Sequence, residues 1–286
     1  MSFLNIFFEI IKLIALTLII VVSAKYILVK YLRKLAETLN LKPRVVGNIA
    51  GIATSIPELL TVSFSAATGF IATGIYNVIS SNVINFLLYM SSIIINKNFK
   101  YIRNKAIVID ISMAIITIII PIFLIKVGIE VELGIVPIFI LLYILFYYID
   151  VNSHKLYLKR QDDIVLEEIA EETKFMKGKK QKTILYSAIL IITMVVLFFV
   201  GNLLSDVLET LCLIFGLPEL LLGILLGITT SIPELITFFE SQKHYKKENN
   251  TKLGVVEATN NLLSSNILCL FIIQSIGILI YSLLNE

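Results

Sequence analysis

Glu58 and Glu234 are the residues of this 286-residue chain whose positions most call for a chemical role. Each closes the string Thr-Ser-Ile-Pro-Glu inside an apolar stretch, where an ionisable side chain is costly and is retained for an ion or a partner. The strings belong to longer copies, Gly47 to Glu58 and Gly223 to Glu234, set a constant 176 residues apart. Each copy has a second half, Asn77-Val-Ile-Ser-Ser-Asn82 after the first and Asn261-Leu-Leu-Ser-Ser-Asn266 after the second. Thr54, Ser55 and Glu58 fall within about one helical turn, as do Thr230, Ser231 and Glu234, so hydroxyl and carboxylate oxygens share a face. Pro57 and Pro233 lack an N–H, which frees the carbonyls of Ala53 and Thr229 and bends each helix. A dehydrated cation is a good partner for a freed carbonyl inside a membrane. Asn77, Ser81 and Asn85 form a stripe at four-residue spacing, and Asn261 and Ser265 begin a matching one. The donor set is all oxygen, which hard cations such as Ca2+ or Na+ prefer.

The elements that must hold these residues are membrane helices. Hydrophobic residues make up 57% of the chain and charged ones 16%, with a mean hydropathy of +0.91; that composition marks an integral membrane protein. Apolar runs near the roughly 20 residues of a helical span lie near Phe3 to Val22, Val45 to Ile71, Tyr76 to Ile95, Ile107 to Ile125, Leu133 to Tyr148, Ile184 to Leu204, Leu217 to Phe239 and Val255 to Leu284. Barrel strands are shorter and alternate apolar with polar, so the expected fold is all-α, a polytopic transmembrane bundle of about eight spans. The first run lacks a basic start and a small-residue cleavage site, and is expected to remain as a span.

Basic residues orient the bundle, because they accumulate in cytoplasmic connections. They follow the first, third, fifth and seventh spans, whereas the other connections hold only Lys126. The N-terminus is therefore expected outside and the long polar segment 150–182 inside. The Gly47 copy then runs outward and the Gly223 copy inward, so the duplication is inverted across the membrane. Inverted repeats with helices broken near the midplane are the plan of many secondary transporters. The expected organisation is a first repeat over 1–149 with its motif at 47–85, a linker over 150–182, and a second repeat over 183–286 with its motif at 223–269.

At these motifs the chain resembles the cation/calcium exchanger superfamily, most closely its sodium/calcium exchanger branch. That family carries two inverted repeats, each with a motif like G-T-S-x-P-E on one helix and G-N-x-x-G-S-N on the next. The resemblance implies exchange of Ca2+ for Na+ by alternating access, with the ions as cargo and no cofactor. By motif position it implies a cage lined by Gly51, Thr54, Ser55, Glu58, Ser81 and Asn85 from the first repeat. Gly227, Thr230, Ser231, Glu234 and Ser265 line it from the second, the two glycines through their carbonyls. A plasma membrane is the family's commonest prokaryotic setting.

The chain departs from the family in three ways. Cys269 stands where an acid often lies four residues after the second repeat's serine, and a thiol is a poor ligand for hard cations. Tyr76, Ser80, Asn260 and Ser264 replace glycines of the second motif, which predicts looser helix packing. The family usually has ten spans, so either the last two are missing or a partner supplies that surface. Two ionised glutamates neutralise one Ca2+ but not three Na+, and uncompensated charge in a low-dielectric site is costly. Ca2+/H+ exchange, with both glutamates as proton carriers, is therefore an alternative reading. A cation channel or a non-transporting scaffold of the same fold is another.

Other polar residues have plainer readings. Single hydroxyls and amides in membrane helices bond neighbouring helices or their own backbone. Glu9 and Lys12 are expected to pair, Asp110 to lie at the interface, and Glu257 to be a first-turn acid favoured by the helix dipole. The 150–182 segment fits a surface helix or solvated linker. An enzyme is not indicated: His154 and His244 fall in expected loops away from both acids, no phosphate-binding loop is present, and Cys212 and Cys269 have no CxxC spacing. The net charge of +3 follows from loop topology; the expected partners are membrane lipid and inorganic cations, with no nucleic acid.

Overall fold

The computed structural model describes residues 3–39, 41–127, 132–159, 180–216, 218–247 and 249–285. Among them the regular elements are all helical, and eight helices are long and apolar enough to cross a membrane. In chain order they are α1 (Phe3–Val22) and α2 (Val29–Leu39), joined through a π-helical turn at Ser23–Leu28, then α3 (Pro43–Thr54), α4 (Ile56–Ala67), α5 (Ile71–Ile95), α6 (Lys105–Val127) and α7 (Val136–Lys159). The second half holds α8 (Lys180–Phe215), α9 (Glu219–Thr230), α10 (Ile232–Lys247), α11 (Thr251–Ile267) and, after a second π turn at Leu268–Ile273, α12 (Gln274–Asn285).

Two spans are broken, each in the repeated motif. Ser55 leaves the helix with φ −82° and ψ 2°, and Ser231 with φ −80° and ψ 0°. The physical cause sits two residues on: Pro57 and Pro233 are the second residues of α4 and α10, a place where a missing N–H does no harm, although the same proline inside a continuous helix would interrupt it. Glu58 and Glu234 consequently become first-turn acids of the new helices. Helix N-termini stabilise negative charge there.

The broken helices cross the unbroken ones closely. A Cβ on Gly47 would lie 2.3 Å from the Glu257 carbonyl oxygen, and one on Gly51 would lie 2.7 Å from that of Asn261, so α3 presses its glycines against the α11 backbone. Gly223 and Gly227 of α9 do the same to α5, where added Cβ atoms would come within 2.6 Å of Tyr76 Cβ and 2.1 Å of Ser80 Oγ. This corrects the expectation of looser packing. Tyr76, Ser80, Asn260 and Ser264 replace glycines on one partner of each crossing, but the glycines on the other partner suffice for close approach.

The two crossings are related as the repeats are. Asn77 Nδ2 donates a short hydrogen bond to Thr61 Oγ1, and Asn261 Nδ2 donates one to Thr237 Oγ1. Asn82 Nδ2 donates to the Asn266 carbonyl and Asn266 Nδ2 to the Asn82 carbonyl, both at 3.2 Å. This reciprocal pair marks the pseudo-twofold axis. Asn82→Ala and Asn266→Ala should therefore destabilise the solubilised protein equally, by about 0.5–1.5 kcal/mol each, since each removes one buried hydrogen bond between the repeats; thermal unfolding midpoints of the two variants check this, and a large inequality would contradict the pairing.

Apolar clusters flank this polar centre. One gathers Tyr89, Ile107, Phe139, Phe146, Phe238 and Phe271 from α5, α6, α7, α10 and the second π turn, and the other gathers residues of α1, α2, α3, α8 and α9 such as Leu32, Leu197, Leu204 and Leu226.

Several element boundaries differ from expectation. The first apolar run continues as helix to Leu39, because α2 keeps an apolar face (Leu32, Leu35, Ala36) under its basic residues. α7 runs on to Lys159 and α8 begins at Lys180, so the described ends of the 150–182 linker are helical, while 160–179 lies outside the described residues. His154 and His244 fall in the closing turns of α7 and α10 instead of loops. Asp150 is buried and ion-paired with Arg44, and Asp110 is 2% exposed within α6, so neither is a solvated acid. Glu9 and Lys12 do pair, at 2.6 Å.

Candidate cation site at the helix breaks

The helix breaks bring the repeated residues of both halves to one place. Thr54, Ser55, Glu58, Ser81, Asn85, Thr230, Ser231, Glu234 and Ser265 are all buried, both glutamates completely. The repeats interlock: Thr230 of the second lies beside Glu58 of the first, and Thr54 of the first lies beside Glu234 of the second. The two carboxylates are near enough to repel one another. Ser265 Oγ donates to Glu234 Oε1 at 3.3 Å and sits 2.9 Å from Ser55 Oγ. Asn85 Nδ2 donates to Ser265 Oγ at 3.4 Å.

Hydrogen-bond accounting shows what the site requires. Thr54 and Thr230 donate their hydroxyl protons to the carbonyls of Ala50 and Leu226, both at 2.9 Å, and Ser81 donates to the Val78 carbonyl at 3.1 Å. Their lone pairs are left for another group. Both Glu58 carboxylate oxygens, Glu234 Oε2, Ser231 Oγ and Asn85 Oδ1 are buried with no hydrogen-bond partner among the described residues, as are the Oδ1 atoms of Asn77, Asn82, Asn261 and Asn266. Buried polar atoms are normally satisfied, and a surplus of acceptors without donors is satisfied by a positive ion. Two carboxylates supply two negative charges, and neutral oxygens supply the rest; among the described residues no three His, Cys, Asp or Glu side chains gather as a metal group. Oxygen-rich, carboxylate-poor surroundings suit Ca2+ or Na+.

Two of the expected ligands, Gly51 and Gly227, sit at the helix crossings. The Gly51 carbonyl already accepts the Ser55 N–H at 3.2 Å, the Ser55 hydroxyl at 2.8 Å and the Thr54 hydroxyl at 3.3 Å, and the Gly227 carbonyl accepts the Ser231 N–H at 3.2 Å. With their Cα atoms pressed on α11 and α5, these glycines also set the spacing between helices. Cys269, fully buried in the second π turn, neighbours Ser55 and Ser265. It thus lies in the wall of the site.

Glu257 also differs from expectation. It is buried, takes a two-pronged contact from Arg33 and accepts a hydrogen bond from Ser241, so an ion pair, and not the helix dipole alone, holds it. Sequence reasoning missed this group because its members lie on three helices. It also missed the Thr61–Asn77 and Thr237–Asn261 bonds, although Thr61 and Thr237 obey the 176-residue shift and were visible as an extension of the repeat.

The profile of the sodium/calcium exchanger protein family matches residues 9–151 and 185–286, both repeats and both helix breaks. The chain belongs to the sodium/calcium exchanger family. Among solved structures this exchanger is similar to the sodium-calcium exchanger NCX_Mj soaked with Na+ and Sr2+, with a TM-score of 0.59 at 20% identity over 96% of this chain and 83% of that one. It is also similar to the H+/Ca2+ exchanger CAX, with a TM-score of 0.63 at 11% identity over 96% of this chain and 68% of that one. At these identities the likeness establishes the exchanger fold. No curated protein matches the chain.

Proposed function

We propose that this exchanger is a secondary antiporter that moves Ca2+ against Na+ by alternating access. The cation is held between Glu58 and Glu234 and completed by oxygens of Thr54, Ser55, Ser81, Asn85, Thr230, Ser231 and Ser265. The observation that carries this reading is the surplus of buried acceptor oxygens at the crossing of the two broken helices. A Ca2+ ion there balances both carboxylates, which makes it the cargo of matching charge. Gly51 and Gly227 keep the helices close. The first repeat over 1–149 and the second over 183–286 supply half the cage each, and the basic connections favour the N-terminus outside and the 150–182 segment in the cytoplasm of a plasma membrane.

Two features favour exchange against H+ as a second reading. Among the described residues the cage has two carboxylates only, and Cys269 replaces a third. With fewer charges for Na+, a glutamate can carry a proton on the return step.

Uptake of Ca2+ into vesicles, driven separately by an outward Na+ gradient and by a pH gradient, tests both. Uptake driven by Na+ alone supports the first reading; uptake driven by the pH gradient alone supports the second. Uptake indifferent to either gradient means a channel, and no uptake by correctly folded protein means a scaffold.

A further inference from the structure

Arg33, Glu257 and Ser241 form a closed polar group that the cation cage does not use. Arg33, on α2, aims Nη2 at Glu257 Oε1 and Nη1 at Glu257 Oε2, at 2.9 and 3.3 Å. Ser241, on α10, donates to the same Oε1 at 2.5 Å. The guanidinium also lies over the Tyr245 ring, 5.6 Å from its centroid. The pair is well shielded, with side-chain exposures of 14% for Arg33 and 4% for Glu257. One carboxylate thus ties together α2, α10 and α11. It does so beside the cage helices, since the Glu257 carbonyl is the atom that Gly47 of α3 presses against.

The repeat shows that this contact is one-sided. α2 and α8 end at Leu39 and Phe215, and α3 and α9 begin at Pro43 and Glu219, so the 176-residue shift of the motifs also relates α2 to α8. Applied to the clamp, it places Glu209 opposite Arg33 and Ser65 opposite Ser241. The second halves of the motifs are 184 residues apart, as Asn77 and Asn261 are, which places Thr73 opposite Glu257. An acid and two hydroxyls have no positive member, so these equivalent positions form no ion pair with one another. Thr73 Oγ1 is in fact buried there without a hydrogen-bond partner among the described residues. Toward the opposite mouth the middle of α1 and the closing turns of α8 flank an open cleft of ≈ 420 Å³ whose lining includes the Glu9–Lys12 pair and Asp206.

We propose that Arg33, Glu257 and Ser241 are a one-sided gate, a clamp that holds the mouth at the α2 and α10 ends closed and favours the opposite mouth for cation entry. Equal inverted halves give the two open states equal energies. A buried ion pair present in one half only shifts that balance, because opening its mouth must separate a pair of shielded charges and opening the other need not. The inference rests on the alternating-access reading only in requiring that the two mouths open in turn.

Cys269 supplies the probe, since its thiol is buried in the cage wall and becomes reachable from whichever mouth is open. In a Cys212→Ser background and oriented vesicles, a membrane-impermeant methanethiosulfonate should label Cys269 slowly from the clamped side. Arg33→Gln or Glu257→Gln should speed that labelling roughly tenfold or more, with no rise from the other side. The swapped pair Arg33→Glu with Glu257→Arg should return it toward the original rate. Ser241→Ala, which removes one hydrogen bond and leaves both charges, should give a smaller rise, and it keeps the test open if a charge variant fails to fold. Unchanged labelling from the clamped side, or an equal rise from both sides as a merely loosened protein would show, overturns the gate. A chain that labels as expected yet moves no Ca2+ leaves the gate standing and removes the exchange reading; one that exchanges Ca2+ with unchanged labelling removes the gate alone.

Discussion

Glu58→Gln and Glu234→Gln should each lower the initial rate of Ca2+ uptake at sub-saturating Ca2+ by about a hundredfold or more. Each substitution keeps the volume of the side chain and removes one of the two negative charges that face each other in the buried site. A divalent cation brought into that site then carries one uncompensated charge, at a cost of at least about 3 kcal/mol, and about 1.4 kcal/mol is a factor of ten. The repeat makes the prediction symmetric: the two glutamates close the same motif, start equivalent helices and lie beside each other's threonine, so the two losses should be similar. Uptake measured on equal amounts of reconstituted protein decides it. Wild-type exchange by either variant would take that glutamate out of the cage.

Gly47→Ala and Gly51→Ala should each cost about 1–3 kcal/mol of stability, the range for overpacking a tight core, and lower the thermal midpoint in detergent by several degrees. The new methyl on Gly47 would meet the Glu257 carbonyl oxygen at 2.3 Å and the Asn261 nitrogen at 3.1 Å; that on Gly51 would meet the Asn261 oxygen at 2.7 Å and the Ser265 nitrogen at 2.9 Å. These are backbone atoms, which cannot swing away as a side chain would. The crossing itself must widen, and it holds Ser265 against Ser55 and Glu234, so cation binding should weaken along with stability. Gly134→Ala is the control, with nothing within 4 Å of its new carbon. A midpoint unchanged by Gly47→Ala would mean that the α3–α11 crossing is looser than the structure has it.

Much of the site is legible in the sequence because duplication does the sorting. A lone Thr-Ser-Ile-Pro-Glu reads as a kinked helix with an odd acid; two copies at a fixed spacing in an apolar chain read as two halves of one site. Charge asymmetry between connections adds the inversion, and with it the expectation that the acids meet. What periodicity could not supply is pairing between distant elements. Glu257 looks like any first-turn acid until α2 brings Arg33 alongside, 224 positions away. Asp150 looks like the start of a polar linker until Arg44 reaches it from α3. The glycine error has the same origin: a missing glycine on α5 or α11 says nothing about separation unless the facing residue on α9 or α3 is known. Helix length beyond the apolar core was also hidden, since α2 is helical with a buried apolar face under its basic residues, and mean hydropathy does not register this.

The central claim is that two buried acids from opposite repeats share one cation. Anomalous diffraction from crystals of this exchanger soaked with Sr2+ in place of Ca2+ tests it most directly. The account predicts a single strong peak between the Glu58 and Glu234 carboxylates, at a coordination distance from their oxygens slightly longer than the roughly 2.3–2.6 Å of the smaller Ca2+, and its loss in the Glu58→Gln protein. A peak elsewhere with those carboxylates bare, or one that persists unchanged in Glu58→Gln, would contradict it.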